Sequence, residues 1–254
     1  MAVTEIVLVR HAETVWNAEE RWQGQTDVPL SPRGREEVAL VAARLRDVSF
    51  DRVVSSDLSR ALDTAIGIAP GVSIERDPML REMHLGAWCG LLHREVVERF
   101  PDQLRALQRG EPTRIGGDGE TPIELSTRVS TAIARIVRES PNGRVLVVTH
   151  GGVVRSILLA LLGLEGRARP LVGSRNTAIT RIDYVDGAGM LRSYNDARHL
   201  PHALDEGESI RDAAAKARIV DLLGVARPDA LATPAAGTES RVVVDRRQLV
   251  SYAL

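Results

Sequence analysis

The sequence has little of several features that define other protein classes. It contains a single cysteine, Cys89, which excludes an intramolecular disulfide framework. A formal net charge of −1 gives no electrostatic footprint for nucleic acid or for an anionic membrane surface. No apolar run approaches the ~20 residues of a membrane-spanning helix, and the first apolar stretch, residues 6–9, ends at Arg10 without forming a signal peptide. We therefore expect a cytoplasmic protein with no nucleic-acid partner and no membrane partner.

Aromatic residues and lysines are scarce as well. Aromatic side chains make up 3% of the chain, so a core built from its 44% hydrophobic residues must consist mainly of Val, Leu, Ile and Ala. Among the 33 basic residues only Lys216 is a lysine. This bias is typical of GC-rich genomes and favours a bacterial origin.

Short β-branched runs alternate with helical patterns along the first 200 residues. Strands are predicted at residues 5–9, 53–54, 73–75 and 144–149, and helices after Ser31-Pro32, near 60–69, at 93–99 before Pro101, after the capping box that begins at Thr121, and at 153–162. Residues 177–185 and 190–194 flank a glycine-containing turn and predict a hairpin. We expect a three-layer α/β fold with a mostly parallel sheet, one antiparallel strand and helices on both faces.

The composition shifts to Ala, Arg, Asp and Glu after about residue 204. We therefore predict a catalytic domain at 1–204 and an extension at 205–254, with a helix at 209–223 and a short strand at 241–245. The extension carries no motif, so we expect an accessory packing or dimerisation element, the latter giving a homodimer.

Two histidines come directly after predicted strands. His11 follows Arg10 at the end of the first strand, and His150 precedes Gly151 at the end of the strongest one. Ligands of open α/β sheets bind beyond the carboxyl ends of the strands. A single histidine in such a position is more often structural. Two of them with Arg10 and Arg60 nearby make an anion-binding site about as common an explanation as a structural role.

Five segments, in this order, resemble the motifs of the histidine phosphatase superfamily, which includes the cofactor-dependent phosphoglycerate mutases. They are Arg10-His11-Ala12-Glu13-Thr14-Val15-Trp16-Asn17, Gln23-Gly24-Gln25-Thr26-Asp27-Val28-Pro29-Leu30-Ser31, Ser55-Ser56-Asp57-Leu58-Ser59-Arg60-Ala61, Leu80-Arg81-Glu82 with the following turn, and Thr149-His150-Gly151-Gly152. The matches span residues 5 to about 200. One position departs from many members of the family, since Ala12 stands where they have glycine.

The resemblance implies a phosphoryl-transfer site without metal or cofactor. His11 would attack phosphorus and carry the phosphoryl group, because a neutral imidazole avoids the repulsion that a dianionic ester exerts on an anionic nucleophile. Arg10, Arg60 and His150, the last if protonated, would surround the transferring group. Glu82 would protonate the leaving oxygen and then activate water. Predicted substrate-binding residues complete the set: Asn17, Gln23, Gly151 and Leu200.

Three functions stay open at this point. A phosphatase passes the phosphoryl group to water, a mutase returns it to a bound sugar acid, and a non-catalytic member only binds phosphorylated ligands. Only 68 positions separate Glu82 from His150, without the adjacent arginine pair of the mutase kind, which favours a phosphatase acting on a small phosphomonoester. Several motifs resemble those of actinobacterial glucosyl-3-phosphoglycerate phosphatases, and broad-specificity and α-ribazole phosphatases share much of the same sequence.

Overall fold

A six-stranded sheet forms the centre of the part of the chain that the computed structural model describes, residues 2–109, 111–164 and 173–201. Its strands are β1 (Val3–Arg10), β2 (Arg52–Ser55), β3 (Ile74–Arg76), β4 (Arg144–Thr149), β5 (Ile179–Val185) and β6 (Ala188–Asp196). They lie in the order β3-β2-β4-β1-β5-β6. β5 is antiparallel to both of its neighbours, so it alone opposes the direction of the other five strands.

Helices cover both faces of this sheet. They are α1 (Val15–Ala18), α2 (Pro32–Leu45), α3 (Ser59–Ile68), α4 (His93–Arg99), α5 (Pro101–Gln108), α6 (Pro122–Arg138) and α7 (Gly151–Leu161). Side chains alternate between the two faces of a strand, and in β1 Ile6 and Leu8 pack with α6 and α7. Val7 and Val9 instead pack with α2 and α3. The two apolar layers hold the central strands rigidly, as a site built on their ends requires.

Two predicted helix starts form through their cap residues. The Ser31 hydroxyl accepts a hydrogen bond from the backbone N–H of Gly34 at 2.9 Å, and Pro32 occupies the first turn of α2. Gly34 is needed there because a Cβ would lie 2.0 Å from the carbonyl oxygen of Glu13. Thr121 forms the predicted capping box at the start of α6. The cap of α2 therefore also fixes the segment that follows His11.

The predicted three-layer α/β fold, with one antiparallel strand and helices on both faces, is confirmed. Three details differ from the prediction. Pro101 follows α4 as expected, but it also begins α5, because proline suits the first turn of a helix. The short α1 was not predicted, and the hairpin turn is only Asp186-Gly187, both with positive φ.

The predicted helix at 209–223, the predicted strand at 241–245 and the whole extension at 205–254 lie outside the described residues. Among the helices that are described, none combines the length and the apolar character that crossing a membrane requires.

Candidate active site

The two strand-end histidines lie side by side. β1 and β4 are adjacent and parallel, with Arg10 paired with Thr149, so the chain leaves both strands at the same edge of the sheet. The backbone N–H of His11 donates to the carbonyl oxygen of Thr149 at 2.8 Å. The imidazole centroids of His11 and His150 are 5.1 Å apart, with 57° between the ring planes. The structure thus brings both histidine motifs together at one edge of the sheet.

His11 carries a neutral imidazole with one nitrogen lone pair available. Its Nδ1 lies 2.7 Å from the carbonyl oxygen of Ala12, which can only accept, so Nδ1 carries the hydrogen and Nε2 keeps its lone pair. Burial lowers the pKa of His11 well below its usual value, and the charges of Arg60 and Arg10 lower it further. The imidazole is therefore neutral at pH 7, with its single hydrogen on Nδ1.

His150 is fully buried and held through one nitrogen. Its Nε2 lies 2.8 Å from the hydroxyl oxygen of Ser56, whereas its Nδ1 has no hydrogen-bond partner among the described residues. Burial lowers the pKa of His150 well below its usual value, and Arg60 and His11 add to this effect. His150 is therefore neutral at pH 7, not the protonated group that the resemblance allowed for.

Two guanidinium groups supply the positive charge. Arg60 near the start of α3 is fully buried and donates to the carbonyl oxygens of Gly24 and Thr26, both at 2.8 Å. Burial lowers its pKa to about 10, so it stays charged at neutral pH. Arg10 donates from Nη1 to the carbonyl oxygen of Ser174. Each arginine is thus fixed by backbone acceptors while its charge has no paired carboxylate in the described contacts.

Three buried nitrogens of these residues lack a partner within the described chain: Arg10 Nε, Arg60 Nε and His150 Nδ1. Leaving a buried donor unpaired costs about 1–3 kcal/mol, so native proteins rarely tolerate it without a reason. Three such nitrogens around the His11 imidazole form a set that oxygens of a tetrahedral oxyanion would satisfy. The arrangement can bind an anion.

Glu82 lies in the segment after β3, and its side chain is held against the start of α7. Its Oε1 accepts from the Met83 N–H at 2.8 Å and its Oε2 from the Gly152 N–H at 3.1 Å. A Cβ at Gly152 would lie 2.2 Å from Oε1, so only glycine leaves room for the carboxylate. Burial lowers the pKa of both Arg10 and Arg60, and the charge of Glu82 offsets part of this effect, which places Glu82 within electrostatic reach of the two guanidinium groups.

Asn17 and Gln23 converge on the hydroxyl of Thr14. The oxygen Oδ1 of Asn17 accepts from the Thr14 N–H at 3.1 Å, with the Thr14 hydroxyl at 3.0 Å and Asn176 Nδ2 at 3.4 Å. Because these contacts occupy Oδ1, the Nδ2 amide of Asn17 is the end left to donate to a ligand. Gln23 is buried, and its Oε1 lies 3.0 Å from the same hydroxyl.

Of the last two predicted binding residues, Gly151 lies beside the site and Leu200 lies in a separate apolar cluster. Gly151 opens α7 beside Arg10, where a Cβ would meet Arg10 Nε at 3.4 Å, an ordinary contact. Leu200 is buried in a small apolar cluster with Ala178 and Ala197, packed against Leu40. It is therefore joined to a different part of the core from the residues around His11.

Sequence reasoning assigned no role to several residues that support the site. The Asn176 amide donates to the carbonyl oxygen of His11 at 2.9 Å. Thr177, with φ 55°, donates its N–H to the carbonyl oxygen of Arg10 at 3.0 Å, a left-handed conformation that is rare for a β-branched residue. Arg128 donates to three backbone carbonyls of the segment that ends in Glu82. No local sequence pattern marks these three residues. Ser56, which contacts His150, was also given no role, although it lies inside one of the matched motifs.

Within the ranges that the structure describes, no group of three or more His, Cys, Asp or Glu side chains is arranged to hold a metal ion. Charge at the site comes from the guanidinium groups of Arg10 and Arg60.

Comparison with known proteins bears on the same residues. The family model described as the histidine phosphatase superfamily (branch 1) matches residues 6–197. A probable phosphoglycerate mutase of Enterobacter sp. (strain 638) is 36% identical over 214 residues, covering 80% of this chain and 98% of that relative.

Two solved structures share the fold. A mutant phosphoserine phosphatase of Entamoeba histolytica in complex with phosphoserine superposes with a TM-score of 0.72 at 28% identity, covering 78% of this chain and 99% of that chain. A mycobacterial glucosyl-3-phosphoglycerate phosphatase in complex with VO3 gives a TM-score of 0.70 at 31% identity, covering 76% and 99%. The similar proteins thus include both a mutase by name and phosphatases.

Proposed function

The chain belongs to branch 1 of the histidine phosphatase superfamily, and we propose that it is a phosphomonoesterase that passes a phosphoryl group first to His11 and then to water. The observation that carries this proposal is the set of three unpartnered buried nitrogens, Arg10 Nε, Arg60 Nε and His150 Nδ1, beside a neutral imidazole. A phosphoryl group offers acceptor oxygens to all three, and the imidazole supplies a nucleophile.

In the first step Nε2 of His11 attacks phosphorus. The bond from phosphorus to the ester oxygen breaks as the bond to Nε2 forms, and the Nδ1–H bond to Ala12 stabilises the positive charge that develops on the ring. Arg10 and Arg60 bind the equatorial oxygens, where phosphoryl transfer needs electrostatic stabilisation. Asn17 adds a neutral amide donor.

Glu82 handles the protons of both steps. As a carboxylic acid it donates a proton to the departing ester oxygen, and the resulting carboxylate then takes a proton from the water that attacks the phosphohistidine. The second step releases inorganic phosphate and restores both His11 and protonated Glu82. The N–H groups of Met83 and Gly152 hold the carboxylate in place throughout.

Hydrolysis is favoured over mutase chemistry by the arginines between Glu82 and His150. Four of them form ion pairs with nearby carboxylates: Arg99 with Glu95, Arg105 with Asp102, Arg109 with Glu111 and Arg114 with Glu124. These exposed ion pairs offset part of the positive charge that would clamp the carboxylate of a bound sugar acid. Mutase activity stays the second candidate because of the similarity to a probable phosphoglycerate mutase.

We propose a small phosphorylated metabolite as substrate, either a sugar phosphate or a phosphoglycerate derivative. The phosphoserine and glucosyl-3-phosphoglycerate phosphatases among the similar structures support this class. Gln23 would contact the substrate beyond its phosphate, since its side chain shares the Thr14 hydroxyl with Asn17.

Substitution of the nucleophile tests the proposal. The wild-type chain should release phosphate from an aryl phosphate and from phosphoglycerates in the presence of a chelator. His11→Ala should lower kcat by at least about three orders of magnitude, as loss of a catalytic nucleophile does elsewhere. His84→Ala is the matched control, because His84 is exposed.

Rapid alkaline quenching of the wild type with a labelled substrate should trap an acid-labile phosphoenzyme that His11→Ala does not form. Near-normal turnover by His11→Ala would disprove the mechanism. Interconversion of phosphoglycerate isomers that outpaces phosphate release would establish the mutase instead.

A further inference from the structure

The hydroxyl of Ser56 forms a hydrogen bond with Nε2 of His150. Ser56 follows β2, is fully buried, and its N–H donates to the carbonyl oxygen of Val148 at 2.9 Å. Its Oγ lies 2.8 Å from His150 Nε2 and 3.4 Å from the backbone N–H of Leu58. Since Ser56 and His150 are 94 residues apart, the pairing depends on the folded sheet.

The direction of this hydrogen bond follows from counting donors. The Leu58 N–H can only donate, so it points at a lone pair of Oγ and leaves the hydroxyl hydrogen for another acceptor. Nε2 of His150 is the described acceptor within reach. If Nε2 carried the hydrogen instead, the buried Ser56 O–H would lack an acceptor among its described contacts, whereas His150 Nδ1 lacks a partner within the described chain in either tautomer.

We propose that Ser56 is a positioning residue that holds His150 in its Nδ1–H tautomer, so that a neutral imidazole donates a hydrogen bond to an oxygen of the transferring phosphoryl group. The part of this inference that concerns phosphoryl transfer rests on the proposed function, whereas the tautomer does not. Arg10 and Arg60 already place two positive charges in the buried site. A neutral donor adds a third hydrogen bond without the cost of burying another charge.

Nitrogen NMR measures the tautomer directly. In protein labelled with ¹⁵N at histidine, protonated and unprotonated ring nitrogens have well-separated shifts, and a His150→Gln sample identifies the His150 signals among the six histidines. The wild type should show a protonated Nδ1 and an unprotonated Nε2. A wild-type His150 protonated at Nε2 overturns the proposal without the need for any other variant.

Ser56→Ala removes the hydroxyl, and Ser55→Ala is its matched control. Ser55 is equally buried, but its hydroxyl donates to the Ser56 carbonyl at 2.8 Å and does not contact His150. Ser56→Ala should shift the His150 population toward Nε2–H and lower kcat/KM about tenfold, equivalent to about 1.4 kcal/mol. Ser55→Ala should keep the wild-type tautomer and kcat/KM, and Ser56→Thr, which keeps a hydroxyl, should restore the Nδ1–H tautomer.

A Ser56→Ala protein that retains the wild-type His150 shifts overturns the proposal, as does one with the new tautomer and undiminished kcat/KM. These outcomes differ from a failure of the proposed function. An inert wild type whose His150 is protonated at Nδ1 would refute phosphatase activity and leave the tautomer assignment standing.

Discussion

The absence of a side chain at Gly152 leaves space for the Glu82 carboxylate. The N–H of Gly152 donates to Glu82 Oε2, and a Cβ at this position would lie 2.2 Å from Oε1. The neighbouring Gly151 is less constrained, because its Cβ would meet Arg10 only at ordinary contact distances of 3.4 Å and beyond. The two glycines are adjacent in sequence, yet only Gly152 sets the position of the Glu82 carboxylate.

Gly152→Ala should therefore displace Glu82 and break at least one of its two backbone hydrogen bonds. We expect kcat to fall about 10²- to 10⁴-fold for poor leaving groups, the range over which general acids contribute, and much less for an activated aryl phosphate. Gly151→Ala should lose far less rate with either substrate. Rates for a series of esters with graded leaving groups provide the measurement. Equal losses for all leaving groups in Gly152→Ala would contradict this account of Glu82.

At the level of single residues, the sequence identified those that stand inside motifs and missed those whose importance is spatial. His11, Arg60 and His150 were found because each lies at the end of a strand or the start of a helix with a recognisable neighbourhood. Asn176 reaches the His11 carbonyl across 165 positions of sequence, a contact that no local pattern predicts. The roles of Asn17, Gln23, Gly151 and Leu200 stay predictions, and the packing of Leu200 gives no support to its own.

The helix α6 supports the segment that carries Glu82. Arg128 on α6 donates to the carbonyl oxygens of Met79, Arg81 and Glu82 at 2.7, 2.9 and 3.2 Å. Its charge is balanced by Glu120, which accepts from Arg128 Nε and Nη2 at 2.7 Å and also from a backbone N–H of the segment after Glu82. The planar guanidinium group carries five N–H donors and can therefore bind several acceptors at once.

Arg128→Met should loosen the segment that carries Glu82, because the carbonyls of Met79 and Arg81 lose the Arg128 donor and the carbonyl of Glu82 keeps only its bond from Gln25. We expect kcat to fall about tenfold or more for poor leaving groups, while KM changes little, since each lost hydrogen bond to a charged group is worth about 1.5–3 kcal/mol. Arg138→Met on the same helix is the control, because Arg138 is 71% exposed and its described ion pair is a long one, 3.8 Å. A loss that is the same for good and poor leaving groups would show that Arg128 acts on general stability and not on Glu82.

Most elements were predictable because their signals are local. β4 has the predicted bounds, and α2 and α6 begin at the predicted caps. α1 was missed because its four residues are too few for a hydrophobic period and depend on a reciprocal cap between Thr14 and Asn17. α5 was missed because Pro101 was interpreted only as the end of the preceding helix, although proline is equally suited to a first turn.

On the scale of the whole molecule, the order of the strands creates the site. β1 lies between β4 and β5, so segments 139 positions apart in sequence become neighbours. Periodicity indicated that each histidine follows a strand, but strand order depends on how the helices pack across both faces, which no local pattern specifies. The sequence therefore did not predict the strand order, which the folded sheet shows.

Burial of the two histidines at this junction couples stability to pH. His11 and His150 have pKa values well below normal because burial penalises the charged imidazole. In the unfolded chain both histidines titrate at about pH 6.5. Below that pH the unfolded state binds protons that the folded state does not, so the free energy of unfolding falls as the pH drops. The carboxylates with lowered pKa values, such as Asp57 and Glu120, lose their contribution only at still lower pH.

We therefore expect the thermal stability of the wild type to decline between about pH 7 and pH 5, each buried histidine contributing a slope of about 1.4 kcal/mol per pH unit below its unfolded pKa. His150→Asn removes one titrating group and should give a flatter dependence, whatever its stability at pH 7. His84→Asn, which alters an exposed histidine, should run parallel to the wild type. The measurement is Tm against pH in phosphate-free buffer, because an anion between the guanidinium groups would stabilise the folded state and, by its charge, favour protonated imidazoles. Parallel curves for the wild type and His150→Asn would show that His150 takes up its proton in the folded protein as readily as in the unfolded chain, and that burial does not keep it neutral.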